Sequence, residues 1–298
     1  MKHLDLGGVQ VSRVMELEET PPVKPRQLLP DAAPEVIDSH RHWLMPHFLT
    51  ADGMFTGSIH TYVVRTRRHT IVVDTGAGND KKRSYAGLNQ MHGPYLESLE
   101  KVAGIRPEQV DFVVCTHLHI DHVGWNTRLV RGRWVPTFPN AKYLFVRKEW
   151  EFWERKYNKD KGAEDGAIAD SLIPVFEAGK AVLVEGDHAI DDRVFLEPAP
   201  GHTPGHVCVR IRGGRKEAVM SGDIVHHPVQ VAEPQWSSAF CMDPQTAAAT
   251  RRAFLERNAD TGRLILAAHF ATPNAGTIVA SGHSFRFKVD PTVCPCPS

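Results

Sequence analysis

The chain has 298 residues, 42% hydrophobic and 23% charged, with Lys+Arg and Asp+Glu balanced at 35 each. That is enough chain for one large domain or two small ones, and the composition excludes a disordered or fibrous protein. The balanced charge gives no reason to expect nucleic acid or an anionic membrane as partner, and no stretch approaches the roughly 20 apolar residues of a membrane span. Met1-Lys2-His3-Leu4-Asp5 lacks the apolar core of a signal peptide, so a cytoplasmic location is expected.

Residues 9–15 alternate well enough for a first strand. Pro21-Pro22-Val23-Lys24-Pro25 then opens a long irregular stretch. Residues 20–57 are read as an N-terminal loop near the active site, because Trp43, Met45, Phe48, Met54 and Phe55 make it too apolar for a solvated linker. Loops this long in compact domains are usually functional; the competing reading is that about half of these side chains pack on the core. Strands follow at 59–66 and 70–73, the second ending in Asp74-Thr75-Gly76. Residues 94–104 read as a helix, with Leu96, Leu99 and Val102 on one face and Gly104 as its stop. Residues 110–115 form a short apolar strand that runs into Thr116-His117, and 143–146 another. Helices are expected at 147–157 and 164–178, then strands at 181–184, 194–196, 207–211 and 218–220. Asp243-Pro244 reads as an N-cap and first-turn proline opening a helix through residue 257. A buried strand at 264–268 and a hairpin over 277–289 complete the chain. Clustered strands with interspersed helices and no strict βαβ alternation give an α+β class, sheets packed together with helices outside. Without repeats, low-complexity segments or a linker, residues 1–298 are read as a single domain.

Five cysteines without regular spacing do not make a disulfide framework. Cys115 and Cys208 lie in apolar runs and read as small buried residues. The Cys294-Pro295-Cys296 tail offers two thiols for a metal but reads better as a frayed terminus. The 17 histidines are more informative.

Thr116-His117-Leu118-His119-Ile120-Asp121-His122 puts four potential metal ligands into six residues, directly after a strand. A strand end is a rigid base from which imidazoles and a carboxylate can converge, and these groups suit zinc and its neighbours. A polar loop with coincidental histidines is the competing reading, but so many imidazoles in one turn have little structural use. Further candidates recur at strand ends: His202 in Pro200-Gly201-His202-Thr203-Pro204-Gly205-His206, Asp223 in Met220-Ser221-Gly222-Asp223, and His269 in Leu266-Ala267-Ala268-His269. Each alone is weak, since a single histidine after a strand is usually structural. In this order they supply what the first cluster lacks.

Together with Asp74-Thr75-Gly76, this ordered set resembles the metallo-β-lactamase superfamily of hydrolases, over Asp74 to His269. The resemblance implies an αββα sandwich, two mixed β-sheets with helices outside and the metals at one edge. It implies that His117, His119 and His202 hold one ion, that Asp121, His122 and His269 hold a second, and that Asp223 bridges them. Asp74 would orient a ligand or its loop through hydrogen bonds. The implied cofactors are two divalent metal ions, with Zn2+ first and Mn, Fe or Co also compatible with the ligands. The implied reaction is hydrolysis by a metal-bridging hydroxide, since bound water in such sites reaches a pKa around 7. Asp121, Asp223 and His226 are the candidate catalytic residues, with Asp121 or a pocket histidine relaying a proton to the leaving group.

The superfamily spans many reactions. Its β-lactamases generally lack a bridging aspartate where this chain has Asp223. Its glyoxalase II members carry a C-terminal helical extension, whereas little chain follows His269 here. Its RNA-processing nucleases need an added domain or exosite. The group that remains resembles the acyl-homoserine lactonases and methyl parathion hydrolase. The lactonases usually carry a tyrosine three residues after the bridging aspartate; His226 stands there, which leans toward aryl esters or phosphotriesters over acyl-homoserine lactones. A flavo-diiron-like redox protein is the alternative on the same fold. It is disfavoured because such relatives have a carboxylate where His119 stands and carry a flavin domain. Trp43, Phe48, Phe55, Trp150, Phe152, Trp153 and Trp236 are expected around the mouth, suiting a small-molecule substrate with an apolar or aromatic group. For Trp150 and Trp153, docking of their helix is an equal alternative. His226 and His227 are candidates for the pocket lining, and His206 for a strand residue or a hydrogen-bond partner of a ligand. His40, His42 and His47 read as structural or solvated. A second copy of the chain is a candidate partner; nucleic acid and membrane are not.

Overall fold

Runs such as Thr70-Ile71-Val72-Val73 and Phe112-Val113-Val114 have almost no polar face, the pattern of strands covered on both sides. They are neighbours in a computed structural model that describes residues 3–18 and 22–290. Pro21 and the Cys294-Pro295-Cys296 tail lie outside the described residues. The chain divides into two units, one made of Lys2–Glu16 and Ile59–His188, the other essentially of Leu17–Ser58 and Ala189–Ser298.

The first unit holds β1 (Leu4–Asp5), β2 (Gln10–Leu17), β3 (Ile59–Arg65), β4 (Thr70–Val73) and β5 (Phe112–Val114). A separate hairpin, β6 (Thr127–Val130) and β7 (Arg133–Pro136), is followed by β8 (Lys142–Val146) and β9 (Ala181–Val184). The seven-stranded sheet has the order β1-β2-β3-β4-β5-β8-β9. β4, β5, β8 and β9 are parallel, with Val73 opposite Val114 and Val114 opposite Leu144. Because β4 and β5 run in the same direction and end in register, Asp74 and Thr116 leave the sheet at one edge. The core gathers Val63, Val72, Val113, Tyr143 and Phe145 under Leu99, Trp150 and Trp153. Trp150 and Trp153 share one face of the helix Arg147–Lys159, and Trp150 stacks on Phe176 with ring centroids 4.0 Å apart.

One expectation fails in this unit and one element was missed. Residues 164–178 are not one helix: a turn at Glu164–Gly166 and a wide turn at Ile168–Leu172 precede the helix Ile173–Glu177. Glu164, Asp165 and Gly166 all have positive φ, and Pro174 has no N–H to continue a ladder. The β6–β7 hairpin was not foreseen, although its Arg131-Gly132 turn has the two positive φ values of a tight hairpin.

The second unit contains β10 (Val194–Pro198), β11 (Val207–Arg212), β12 (Glu217–Met220), β13 (Leu264–Leu266), β14 (Ala275–Ser281) and β15 (Ser284–Val289) in sequential order. Only β12 and β13 pair in parallel, and the crossover between them carries the helix Pro244–Asn258. Asp243 caps that helix as expected, accepting from the Thr246 N–H at 3.0 Å. Residues 20–57 are corrected from a loop to a partly helical segment, with helices at Pro25–Leu28 and Pro34–Leu44. Each starts on a proline, a first-turn signal, and Ile37 and Leu44 are buried by the second. Among the described residues, no helix is long and apolar enough to cross a membrane.

Candidate metal centre

In the first unit the ligand-rich loop is built on Asp74, which sits in the left-handed region at φ 53°, a conformation aspartate tolerates better than most residues. That turn aims its carboxylate back at the next strand end. Asp74 Oδ1 accepts the Thr116 N–H at 2.7 Å, the Thr116 hydroxyl reaches Oδ2 at 2.9 Å, and His122 Nδ1 lies 3.0 Å from Oδ2. A carboxylate this close to Nδ1 favours the tautomer with its proton there, which leaves Nε2 of His122 as a lone pair. Likewise the Thr116 hydroxyl, 3.1 Å from Nδ1 of His117, can accept that N–H. His117 Nε2 and His119 Nδ1 are then 3.1 Å apart. Two nitrogens at about 2.0–2.1 Å from one tetrahedral ion stand about 3.3 Å apart, so the spacing fits a pair of ligands to one cation. The loop is further stitched by Thr75 N–H to His122 O at 2.7 Å and Trp125 N–H to Thr75 O at 2.9 Å.

Glu16, which the sequence reading passed over, lies under this strand end. Its carboxylate accepts the Ala77 and Gly78 N–H groups at 2.6 and 2.9 Å and the Trp125 indole N–H at 2.6 Å. At Gly76 φ is 60° and a Cβ would stand 2.1 Å from Glu16 Oε2, so a side chain there would displace the Glu16 carboxylate from its N–H partners. Burial pushes the Glu16 carboxyl up, against those hydrogen bonds.

The second unit presents His202, Asp223, His226 and His269 to one another. Asp223 offers its two oxygens in different directions: Oδ1 lies 3.1 Å from His269 Nε2, and Oδ2 lies 3.4 Å from His202 Nε2. A carboxylate can bridge two cations with one oxygen on each, and this division suits that mode. The other ring nitrogen of His269, Nδ1, is 3.1 Å from the Ser58 carbonyl oxygen. His206 Nε2 accepts the Asp223 N–H at 2.8 Å, and its Nδ1 donates to Ala199 O at 3.0 Å. His206 is therefore a neutral clamp on the Asp223 backbone. The buried Arg251 holds the next residue, donating to Ile224 O at 3.0 Å. The His202 turn is seated on the following helix: Met242 and Asp243 donate to the carbonyls of His202 and Gly201. At Gly201 a Cβ would come 2.3 Å from Ala247 N.

His226 and His227 part company. His226 Nε2 is 3.2 Å from Asp223 Oδ2, and its buried Nδ1 has no hydrogen-bond partner. Burial pushes this imidazole down, against the pull of Asp223. His227 is removed from the pocket lining. It stacks on Phe55 at 3.8 Å, donates through Nε2 to Phe48 O at 2.8 Å and accepts from Val229 N–H at Nδ1, and burial lowers it to about 3. Most of the aromatics expected at a mouth are likewise packing residues: Phe48, Phe55, Trp150, Trp153 and Trp236 are each no more than 6% exposed. His40 pairs with Glu233 at 2.9 Å and accepts from Trp43, a structural role as expected. Cys115 and Cys208 are buried, and burial pushes both thiols up.

The histidines and aspartates singled out in the sequence, His117, His119, Asp121, His122, His202, Asp223 and His269, are all groups able to hold a metal ion. Residues 54–269 match the family model of the metallo-beta-lactamase superfamily. An N-acyl homoserine lactonase of Bacillus cereus is 23% identical over 186 residues, 58% of this chain and 65% of the relative. The chain thus spans a little under two thirds of the length of the curated relatives it first matches. A crystal structure of the hydrolase AbOPH of the beta lactamase superfamily superposes with a TM-score of 0.79 at 25% identity, covering 97% of this chain and 96% of its own. AidC, a dizinc quorum-quenching lactonase solved in complex with a homoserine product, superposes with a TM-score of 0.77 at 22% identity, covering 97% of both chains. These likenesses show the fold to be the αββα arrangement expected from the sequence.

Proposed function

The chain belongs to the metallo-β-lactamase superfamily, and on that ground we propose that it is a dinuclear metal-dependent hydrolase. Its substrate would be a lactone or ester, with aryl esters and phosphotriesters as the related classes. One observation carries the reading: Asp223 turns one oxygen to His269 and the other to His202, an arrangement that would let one carboxylate serve two ions. His117, His119 and His202 would hold one ion, Asp121, His122 and His269 the other, with zinc the first expectation and manganese, iron or cobalt compatible. When bound, such a pair supplies a water acidified to a pKa around 7 and a Lewis acid for the substrate carbonyl.

The protein's own groups do the rest. Asp74 and the Thr116 hydroxyl would favour the protons of His122 and His117 on Nδ1, leaving Nε2 of each for an ion. His226 meets Asp223 through Nε2, and from that nitrogen, which faces the proposed ions, the imidazole could pass a proton to a leaving oxygen. Phe48 and Phe55, from the segment 20–57, lock His227 and so anchor His226 beside it; the rest of that segment is proposed as a wall for an apolar or aromatic substrate. Lactonase relatives support the lactone class, and His226 in place of a tyrosine supports a shift toward aryl esters. We read residues 1–298 as one hydrolase domain, since the family match runs through both units. The test is a hydrolysis screen of acyl-homoserine lactones, simple lactones, aryl esters and phosphotriesters on metal-defined protein. Turnover of at least one class, abolished by chelation and restored by two equivalents of metal, is expected. Chelator-insensitive turnover, or none on any class, overturns the reading.

A further inference from the structure

The loop 116–122 carries potential ligands at His117, His119, Asp121 and His122, so the peptide N–H groups of Thr116, Leu118 and Ile120 alternate with the first three. Each of the three is taken by a carboxylate, and each carboxylate comes from a different element. Thr116 N–H goes to Asp74 at the end of β4, at 2.7 Å. Leu118 N–H goes to Glu149 Oε1 on the helix Arg147–Lys159, at 3.2 Å. Ile120 N–H goes to Glu164 Oε1 on the turn Glu164–Gly166, at 3.3 Å.

We propose that Glu149 and Glu164 are positioning residues of the metal centre, which clamp the peptides between the ligands and so fix the directions of His119 and Asp121. The inference rests on the dinuclear reading above. A carbonyl or hydroxyl oxygen would satisfy an N–H at no charge cost, whereas a buried carboxylate is expensive unless opposite charge lies close. Two divalent ions beside this loop would supply that charge, and an ionised acceptor makes roughly twice as strong a hydrogen bond as a neutral one. Glu149 is 1% exposed and has a second hold on the ligands. The same Oε1 accepts the Trp153 indole N–H at 2.8 Å, and the Trp153 ring stands edge-on to His119 with centroids 5.6 Å apart. Glu164 is placed by an unusual turn. It and Asp165 both take positive φ, 52° and 49°, a conformation that non-glycine residues adopt at a cost. The tight turn is tied down where Asp165 accepts the Ser84 N–H at 2.6 Å.

Glu149→Gln and Glu164→Gln keep the shape and an acceptor oxygen but remove the charge, and Glu164→Ala removes both. Metal affinity is read by competition with a chromophoric chelator, ligand geometry by the visible absorption of the Co2+-loaded protein, and stability by melting of the metal-free protein. The proposal expects metal-free melting close to wild type for the Gln variants, with affinity for at least one ion lowered about 10–100-fold. The Co2+ bands should shift, and kcat should fall at saturating metal with little change in KM. Unchanged affinity and spectra in all three variants overturn it. A loss of metal-free stability with an unchanged Co2+ spectrum also overturns it, since that is the signature of a merely structural acceptor. If Glu149→Gln does not fold, the Glu164 pair decides alone. Wild type must bind two ions in the same titration: if it does not, the dinuclear reading itself fails, whereas two ions bound with wild-type affinity in every variant refute only the clamp.

Discussion

Asp74→Asn isolates one charge from an otherwise unchanged site. Asparagine is, with aspartate, the non-glycine residue that best tolerates a φ of 53°, so the backbone should stay in place. The amide oxygen can still accept the Thr116 N–H now bonded at 2.7 Å. The NH2 must then face the side where Oδ2 now meets the Thr116 hydroxyl at 2.9 Å and His122 Nδ1 at 3.0 Å. An NH2 opposite Nδ1–H places two donors together, and His122 escapes by moving its proton to Nε2, the nitrogen a metal requires. Hydrogen bonds to charged groups contribute about 1.5–3 kcal/mol against about 1 kcal/mol for neutral ones, so the loss is on the order of 1–2 kcal/mol. That agrees with the roughly 10–100-fold drop in metal affinity typical of removing a group that orients a ligand. The assay is chelator competition for each ion, alongside melting of the metal-free protein to show that the fold persists. If the variant binds both ions within about threefold of wild type while melting normally, Asp74 does not set the His122 tautomer and the reasoning fails.

Asp223→Asn should lower both metal occupancy by elemental analysis and turnover, because the proposed anionic bridge becomes neutral; full occupancy at wild-type rate would mean that Asp223 is not the bridge. His226→Ala should keep its metals yet lose about 10²–10⁴-fold in kcat if the imidazole moves a proton, whereas a few-fold loss would reduce it to pocket lining. His226→Tyr should raise the ratio of kcat/KM for an acyl-homoserine lactone over an aryl ester, and an unchanged ratio removes the basis for favouring aryl esters. Lys81 is fully buried, donates to Thr127 Oγ1 at 2.7 Å and lies 3.4 Å from Asp170 Oδ1, and burial lowers its ammonium to about 7. Between about pH 7 and the ordinary lysine value the unfolded chain binds more protons at this site than the folded one, so stability gained from it rises with pH. The stability of wild type relative to Lys81→Met, from urea melts, should therefore increase across that window by at most about 1.4 kcal/mol per pH unit; a flat difference contradicts it.

The candidate ligands were legible in the sequence because they are local. Six consecutive residues at the end of an apolar strand carry four donors, and His202, Asp223 and His269 each follow a recognisable strand. Asp243-Pro244 declared its helix for the same reason, since a cap acts within one turn. The helices in 20–57 were hidden by the proline-rich opening, although Pro25 and Pro34 stand at first helical positions where the missing N–H costs nothing. Only the tertiary structure separated His226 from His227, two identical side chains side by side, one set against Asp223 and the other stacked on Phe55. Only the tertiary structure brought Glu149 and Glu164 to the loop 116–122, with 31 and 44 residues separating each carboxylate from the peptide it holds. A ligand's identity is written at its own position. Its tautomer and direction depend on which acceptor meets the loop's peptide N–H and the ring's second nitrogen, and those acceptors arrive only when distant strands and helices pack.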